Sequence, residues 1–335
     1  MQDHALRPSP ITPTIDLDAD GARHGFLRLP HSRDDSAWGS VMIPIAVIRN
    51  GDGPTALLTG GNHGDEYEGP LALYDLARTL DPREVTGTVI IVPALNYPAF
   101  RAGTRTSPID GGNMNRSFPG RPDGTVTQKI ADYVQRHLLP RADIVLDFHS
   151  GGRTLDFVPF CAAHILPDKA QEQQAFAAVE AFGAPWSMKM LEIDAVGMFD
   201  TAAEEMGKVF VTTELGGGGT ARAETVRIAR RGVANLLRHA GILQGAGEKT
   251  RTLWLDMPSA DCFAFAEEDG MIETAVDLGE PVEAGAVVAR IHAIGRTGTA
   301  PREIRAKIGG ILAARHFPGL VKAGDCVSVV AVRVG

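Results

Sequence analysis

Cysteine is scarce in this sequence. Only Cys161, Cys262 and Cys326 occur, far apart and never in a Cys-x-x-Cys pair. That spacing disfavours a disulfide framework and a cysteine zinc site. It reads instead as small buried hydrophobes in a chain of the reducing cytoplasm. No run of about 18 apolar residues is present, so no membrane span is expected. Met1–Thr14 lacks the basic start and apolar core of a signal peptide. Basic charge is also short: 33 Lys and Arg stand against 41 Asp and Glu, a formal net charge of −8. Nucleic-acid binders usually show a basic patch or stripe, so that partner class is disfavoured. The bulk charge does not set the sign of a pocket.

What is present is the composition of an ordinary globular protein. Hydrophobic residues make up 44% and charged residues 22%, with 38 Gly and 21 Pro. A disordered or fibrous chain is therefore excluded. At roughly 150 residues per domain, the length suggests about two domains.

Residues 1–40 are polar and irregular and are read as an N-terminal extension. A β-rich run begins at Val41. Thr55–Thr59 (TALLT) is a short apolar run ending in two glycines, the pattern of a buried strand entering a tight turn. Leu71–Leu80 has helical spacing, and Thr88–Val92 (TVIIV) is another apolar run. Strand, helix and strand at this spacing form a βαβ unit and imply a parallel sheet. The pattern continues with a helix over Val126–Leu139, a strand over Asp143–Phe148 and a helix over Lys169–Phe182. A strand over Lys208–Thr213 and a helix over Arg222–Ala240 complete it. The expected α/β domain covers residues 41–244.

The glycine-rich stretch 241–250 reads as a linker. Beyond it lie short Val, Ile and Ala runs broken by Gly and Pro, expected to form a smaller all-β domain over 245–335. An internal echo is visible there. Pro281-Val282-Glu283-Ala284-Gly285 and Leu320-Val321-Lys322-Ala323-Gly324 each precede an apolar run. Two related halves resemble the biotinyl/lipoyl barrel-sandwich arrangement. The stretch that would form the hairpin tip, Gly295–Thr299, has no lysine, so a covalent swinging arm is disfavoured.

Three strand ends carry candidate chemistry. The first is Gly60–Glu66 (GGNHGDE). His63 and Glu66 are three apart, so one helical turn puts both on one face, and both are normal zinc ligands. A surface His and Glu in a helix first turn is the bland alternative. The second is Asp143–Ser150 (DIVLDFHS), which places His149 at the carboxyl end of a strand. His63, Glu66 and His149 would make a two-histidine, one-carboxylate set with one position open for water, as catalytic zinc requires. Asp147 is either an orienting partner of a ligand imidazole or a turn cap. The third strand runs into Glu214, followed by Gly216–Gly219. Glu214 is placed for general-base work, or is a solvated turn residue. No Gly-Lys-Ser/Thr follows, which disfavours a phosphate loop. Finally, the loop Arg101–Pro122 holds four arginines with Asn113 and Asn115. Guanidinium groups there could grip a carboxylate or polarise a carbonyl, or simply be solvated.

Taken in order, GNHGDE, TR…NMNRSFPG, DFHSGG and TTELGGGG resemble the succinylglutamate desuccinylase/aspartoacylase family. That resemblance implies a zinc-carboxypeptidase-like mixed sheet flanked by helices, with a C-terminal β-domain. It implies one zinc ion per chain on His63, Glu66 and His149, with Glu214 as general base. It further implies that Arg105 polarises the scissile carbonyl, and that Asn115 and Arg116 grip the substrate carboxylate. One departure is visible. Several members read Asp-Leu-Asn-Arg where this chain reads Asn113-Met114-Asn115-Arg116. The GGNHGDEYEGP stretch and the DGGNMNRSFPG loop are most similar to the subgroup that deacetylates Nα-acetyl-L-2,4-diaminobutyrate in ectoine degradation. Succinylglutamate desuccinylases are the first alternative and peptide-cleaving zinc carboxypeptidases the second. The expected partner is a small N-acyl amino acid, with a homo-oligomer left open. Such a substrate carries a cationic amine, for which Asp194, Asp200, Glu204 and Glu205 are the acidic candidates.

Overall fold

The structure is a computed structural model that describes residues 7–191 and 196–334. At its centre four parallel strands lie side by side in the order Gly87–Val92, Thr55–Thr59, Ile144–His149 and Val209–Glu214. Their sequences are nearly continuous apolar runs because both faces of the sheet are covered. Successive side chains point to opposite faces. Leu58, Leu146 and Phe148 pack under the helices Glu68–Thr79, Lys169–Phe182 and Ala223–His239. Leu57, Val145 and Phe210 face the helices Val126–Tyr133 and Phe199–Glu205.

Antiparallel and further strands extend this core. Ser40–Asn50 pairs with Gly87–Val92, and Gly21–Pro30 pairs with Ser40–Asn50. On the other flank Phe160–His164 runs antiparallel to Val209–Glu214, and Trp186–Met190 lies parallel to Phe160–His164. The result is a mixed sheet flanked by helices. Because the four central strands are parallel, their carboxyl ends share one edge. His149 stands directly opposite Glu214, and Asp147 opposite both Thr59 and Thr212.

The segment expected to be irregular contains the ten-residue strand Gly21–Pro30. Only its second half alternates clearly, with Leu27 and Leu29 buried. The single helix expected over Val126–Leu139 is three pieces. An α-helix over Val126–Tyr133 gives way to a π-helical turn, Val134–Leu138, and a 3₁₀ turn, Leu139–Arg141. Pro140 lacks the N–H that a continuing helix would need. No helix among the described residues is long and apolar enough to cross a membrane.

The C-terminal part combines strands that continue the large sheet with a separate four-stranded antiparallel sheet. Leu253–Asp256 pairs with Trp186–Met190 on one side and Cys326–Arg333 on the other, so the large sheet runs through into the last strand. Cys326–Arg333, Gly310–His316, Pro281–Val282 and Phe263–Phe265 form one layer. Arg302–Arg305, Val287–His292, Gly270–Thr274 and Leu320–Val321 form the facing layer. Val288, Ile291, Leu312, Val327 and Val330 fill the space between them. The sequence echo is a structural one. Each copy places its short strand in one layer and the following long strand in the other. The connecting turns need glycine at φ +85° (Gly285) and +94° (Gly324). The amides of these glycines donate to Ala306 O and Ala266 O, each at 2.8 Å.

Candidate active site

His63 and Glu66 both lie in the loop between Thr55–Thr59 and Glu68–Thr79, and not on the helical turn expected from their spacing; that loop brings them to the end of Ile144–His149. The candidate ligand atoms of His63, Glu66 and His149 all lie within 4.8 Å of one another. Each imidazole turns its Nδ1 towards Glu66. His63 Nδ1 is 2.8 Å from Oε1, and His149 Nδ1 is 2.9 Å from Oε2. The two Nε2 atoms are held from outside. Asn113 Oδ1 lies 3.2 Å from that of His63, and Asp147 Oδ2 lies 2.8 Å from that of His149. Histidines that bind metals commonly have the second ring nitrogen fixed in this way, which sets the tautomer and the ring orientation.

Asp147 is itself fixed. Thr59 Oγ1 donates to its Oδ1 at 2.6 Å and Asn62 Nδ2 to its Oδ2 at 2.9 Å. Of the two roles open to this residue, the geometry is that of an orienting partner. Electrostatics describe the same cluster. Burial opposes ionisation of Glu66, but His63 and His149 hold its carboxyl well below the usual range. Burial also opposes charge on His149, yet Asp147 and Glu66 raise its pKa well above the ordinary value. For His63 burial wins and the pKa falls. A metal ion there would satisfy both Nδ1 atoms and Glu66 together. The donor set therefore fits a metal ion.

Glu214 faces this cluster across the strand pair. Its Oε2 is buried with no hydrogen-bond partner. Burial, and then the charge of Glu66, push its pKa up to about 8. Arg105 reaches in from the long loop, with NH1 3.6 Å from Glu66 Oε1 and about half its side chain exposed. Asn115 and Arg116 form the 3₁₀ turn Met114–Arg116. Asn115 Oδ1 accepts from Phe199 N at 2.9 Å, and Arg116 NH1 donates to Asn115 O at 2.6 Å. This contact ties the arginine loop to the helix Phe199–Glu205 and so brings in Asp200. A polar pocket of about 160 Å³ is lined by His63, Glu66, His149, Arg105, Asn115, Arg116, Asp200 and Glu214.

The succinylglutamate desuccinylase/aspartoacylase catalytic-domain model matches residues 52–240. The chain belongs to that family. An N-alpha-acetyl-L-2,4-diaminobutyric acid deacetylase from Halomonas elongata is 55% identical over 327 residues, covering 97% of this chain and 96% of the relative. A product-bound ectoine utilization protein from Ruegeria pomeroyi is 65% identical with a TM-score of 0.96, covering 97% of this chain and 99% of that one. A succinylglutamate desuccinylase from a Silicibacter species is 63% identical with a TM-score of 0.96, covering 98% and 100%. As a desuccinylase/aspartoacylase family member, the chain is a deacylase acting on N-acyl amino acids.

Within this family member all the predicted site residues line one pocket, although they come from four separate stretches of chain. Of the described acidic candidates for the amine, Asp200 alone lines it. Glu204 pairs with His164 Nδ1 at 3.0 Å, and Glu205 is exposed. Asp194 lies outside the described residues. Asn113 carried no role in the sequence reading beyond its departure from Asp. In the fold its amide oxygen touches His63 and also caps Asn115 N at 3.0 Å. The turn-forming Asn at the start of a short helix was the available signal.

Proposed function

We propose that this enzyme hydrolyses the amide bond of Nα-acetyl-L-2,4-diaminobutyrate, giving acetate and diaminobutyrate, with one zinc ion on His63, Glu66 and His149. The names of the relatives divide between a diaminobutyrate deacetylase and a desuccinylase, so the reading rests on the pocket. Its supporting observation is Asp200, a carboxylate 6% exposed that lines the same pocket as Arg105 and Arg116. Such a pocket complements a substrate with one carboxylate and one amine. Succinylglutamate carries only carboxylates, and a buried carboxylate opposing one of them is destabilising.

Zinc, when bound, supplies a Lewis acid for the carbonyl and makes water more acidic. Arg116 and Asn115 hold the α-carboxylate, and Asp200 receives the side-chain ammonium. Arg105 donates to the oxygen of the scissile carbonyl as charge develops on it. Removing one such donor costs about 3 kcal/mol in other enzymes. Glu214 takes a proton from the attacking water and returns it to the leaving nitrogen. Its buried Oε2 suits that work, because it has no hydrogen-bond partner among the described residues. The free thiols of Cys161, Cys262 and Cys326 suit a reducing cytoplasm.

The test is a comparison of kcat/KM across Nα- and Nγ-acetyl-diaminobutyrate, succinylglutamate, acetylaspartate and acetylornithine. Nα-acetyl-diaminobutyrate is expected to lead succinylglutamate by about a hundredfold or more, the scale seen when a polar site discriminates by a charged group. Asp200→Asn is expected to raise KM for it while leaving acetylaspartate little changed. A preference for succinylglutamate would overturn the reading.

A further inference from the structure

A second chamber adjoins the polar pocket. Its volume is about 360 Å³, more than twice the 160 Å³ of the pocket. Both are lined by Glu214 and Met190. Its floor is buried, formed by Phe160, Met188 and Ala313. Its rim includes Phe265, which is 51% exposed and stacks on Phe263 with ring centroids 6.2 Å apart. Among the described residues, Glu214 is the only acidic or basic one in its lining. The walls come from both halves of the molecule, held together where Leu155–Phe157 pairs with Gly310–His316.

The two chambers meet at the residue that faces the scissile bond, and an amide is trans, so its acyl and amine substituents leave in opposite directions. With the charged amino-acid part among Asn115, Arg116 and Asp200, the acyl substituent would extend past Glu214 towards the apolar chamber, whose lining shares Glu214 and Met190 with the pocket. An acetyl group puts one methyl there. We infer that the enzyme also hydrolyses N-acyl diaminobutyrates whose acyl group is an unbranched aliphatic chain of about four to six carbons, seated in this chamber. The inference rests on the reading above. The chemistry is unchanged. The C–N bond breaks, the water oxygen bonds to the acyl carbon, and the water proton passes through Glu214 to the leaving nitrogen. A short fatty carboxylate is released in place of acetate. Among the described residues the chamber holds no cation for a succinyl carboxylate, so a charged acyl chain of similar length is expected to be refused.

The experiment compares kcat/KM of the zinc-loaded enzyme for the acetyl, butanoyl, hexanoyl and succinyl derivatives of L-2,4-diaminobutyrate. Full burial of a methylene is worth about fourfold, so hexanoyl is expected to exceed acetyl by roughly tenfold or more, chiefly through KM. Succinyl should fall about a hundredfold below butanoyl, as expected for a charge without a partner. Phe265→Asp at the rim and Ala313→Leu in the floor should each lower the hexanoyl-to-acetyl ratio about tenfold, read from kcat/KM of each variant for both substrates. Phe265 is exposed, so its variant remains informative if the floor variant misfolds. Normal acetyl turnover with hexanoyl at a tenth of it or less overturns this inference alone, as does a ratio unmoved by either variant. Failure to turn over the acetyl compound, with succinylglutamate hydrolysed, overturns the underlying reading and this inference with it.

Discussion

Glu214 and Glu68 are both buried carboxyl groups pushed towards neutrality, and they are expected to behave differently when neutralised. Glu214 faces the pocket and does not touch the histidines. Glu214→Gln is therefore expected to fold, to keep its metal stoichiometry and to lose about 10²–10⁴-fold in kcat, the range for a general base. Near-normal kcat in a metal-loaded variant would remove the base assignment. Glu68 sits behind the site in the first turn of its helix, where Thr225 Oγ1 donates to Oε1 at 3.3 Å and Oε2 has no partner. Burial raises its pKa from 4.5 to about 7. Between those values the folded chain holds a proton that the unfolded chain has released. Stability is therefore lost as pH rises from 4.5 through about 7. Glu68→Gln is expected to match wild type near pH 5 and to be more stable near pH 8 by about 1–3 kcal/mol. Identical pH dependence in denaturant melts of the two proteins would show that Glu68 is not the group responsible. At this scale His149 and Glu214 were legible because each ends an apolar strand, and His63 and Glu66 because they lie in the short loop after one. Asp200 was one of four equivalent candidates. Its place depends on the Asn115–Phe199 contact, which joins segments 84 residues apart.

Helix Glu68–Thr79 and strand Ile144–His149 approach closely where Gly69 meets Phe148. A Cβ at position 69 would lie 2.1 Å from Phe148 Cβ, so neither element can stay where it is. The candidate ligand Glu66 precedes this helix, and the candidate ligand His149 follows Phe148. The contact therefore sets the spacing of the metal site from behind. Gly69→Ala is expected to cost roughly 1–3 kcal/mol through overpacking, despite the better helix propensity of alanine. It should also weaken metal affinity by about tenfold or more, the scale of disturbed ligand orientation. Metal titration of a folded Gly69→Ala protein with unchanged affinity would show that the spacing is set elsewhere. Elements with a strong local signal were visible in the sequence. The central strands are unbroken apolar runs, and Lys169–Phe182 has Asp168 capping its start and Gly183 ending it at φ +73°. Phe160–His164 (FCAAH) and Trp186–Met190 (WSMKM) have neither clean alternation nor a purely apolar run. They are strands because the sheet beside them offers a partner, which is a tertiary cause.

At the scale of the molecule, the acidic chain encloses a pocket whose arginines and metal ligands are arranged for an anionic group. Its two halves are joined by a continuous sheet. The division near residue 245 follows composition, and the hydrogen bonding crosses it. Leu253–Asp256 is sandwiched between Trp186–Met190 and Cys326–Arg333. Leu255, fully buried, sits in one cluster with Phe160 and Met188 from the first half and Ala313 and Val329 from the second. Phe160, Met188, Ala313 and Val329 also line the apolar chamber. Stability and acyl-side shape therefore depend on the same contacts. Unfolding is expected as a single unit, with loss of activity, helical circular dichroism and tryptophan fluorescence coinciding in denaturant. Trp254, on the joining strand, donates to Glu180 at 3.1 Å and packs on Phe176, so its emission reports the junction itself. Leu255→Ala should shift all three transitions together by about 2–5 kcal/mol, the cost of truncating a buried leucine. Suppose instead that tryptophan emission changed first, while helicity and turnover persisted. The C-terminal half would then be an independent unit resting against the catalytic half, and the shared sheet would not couple them.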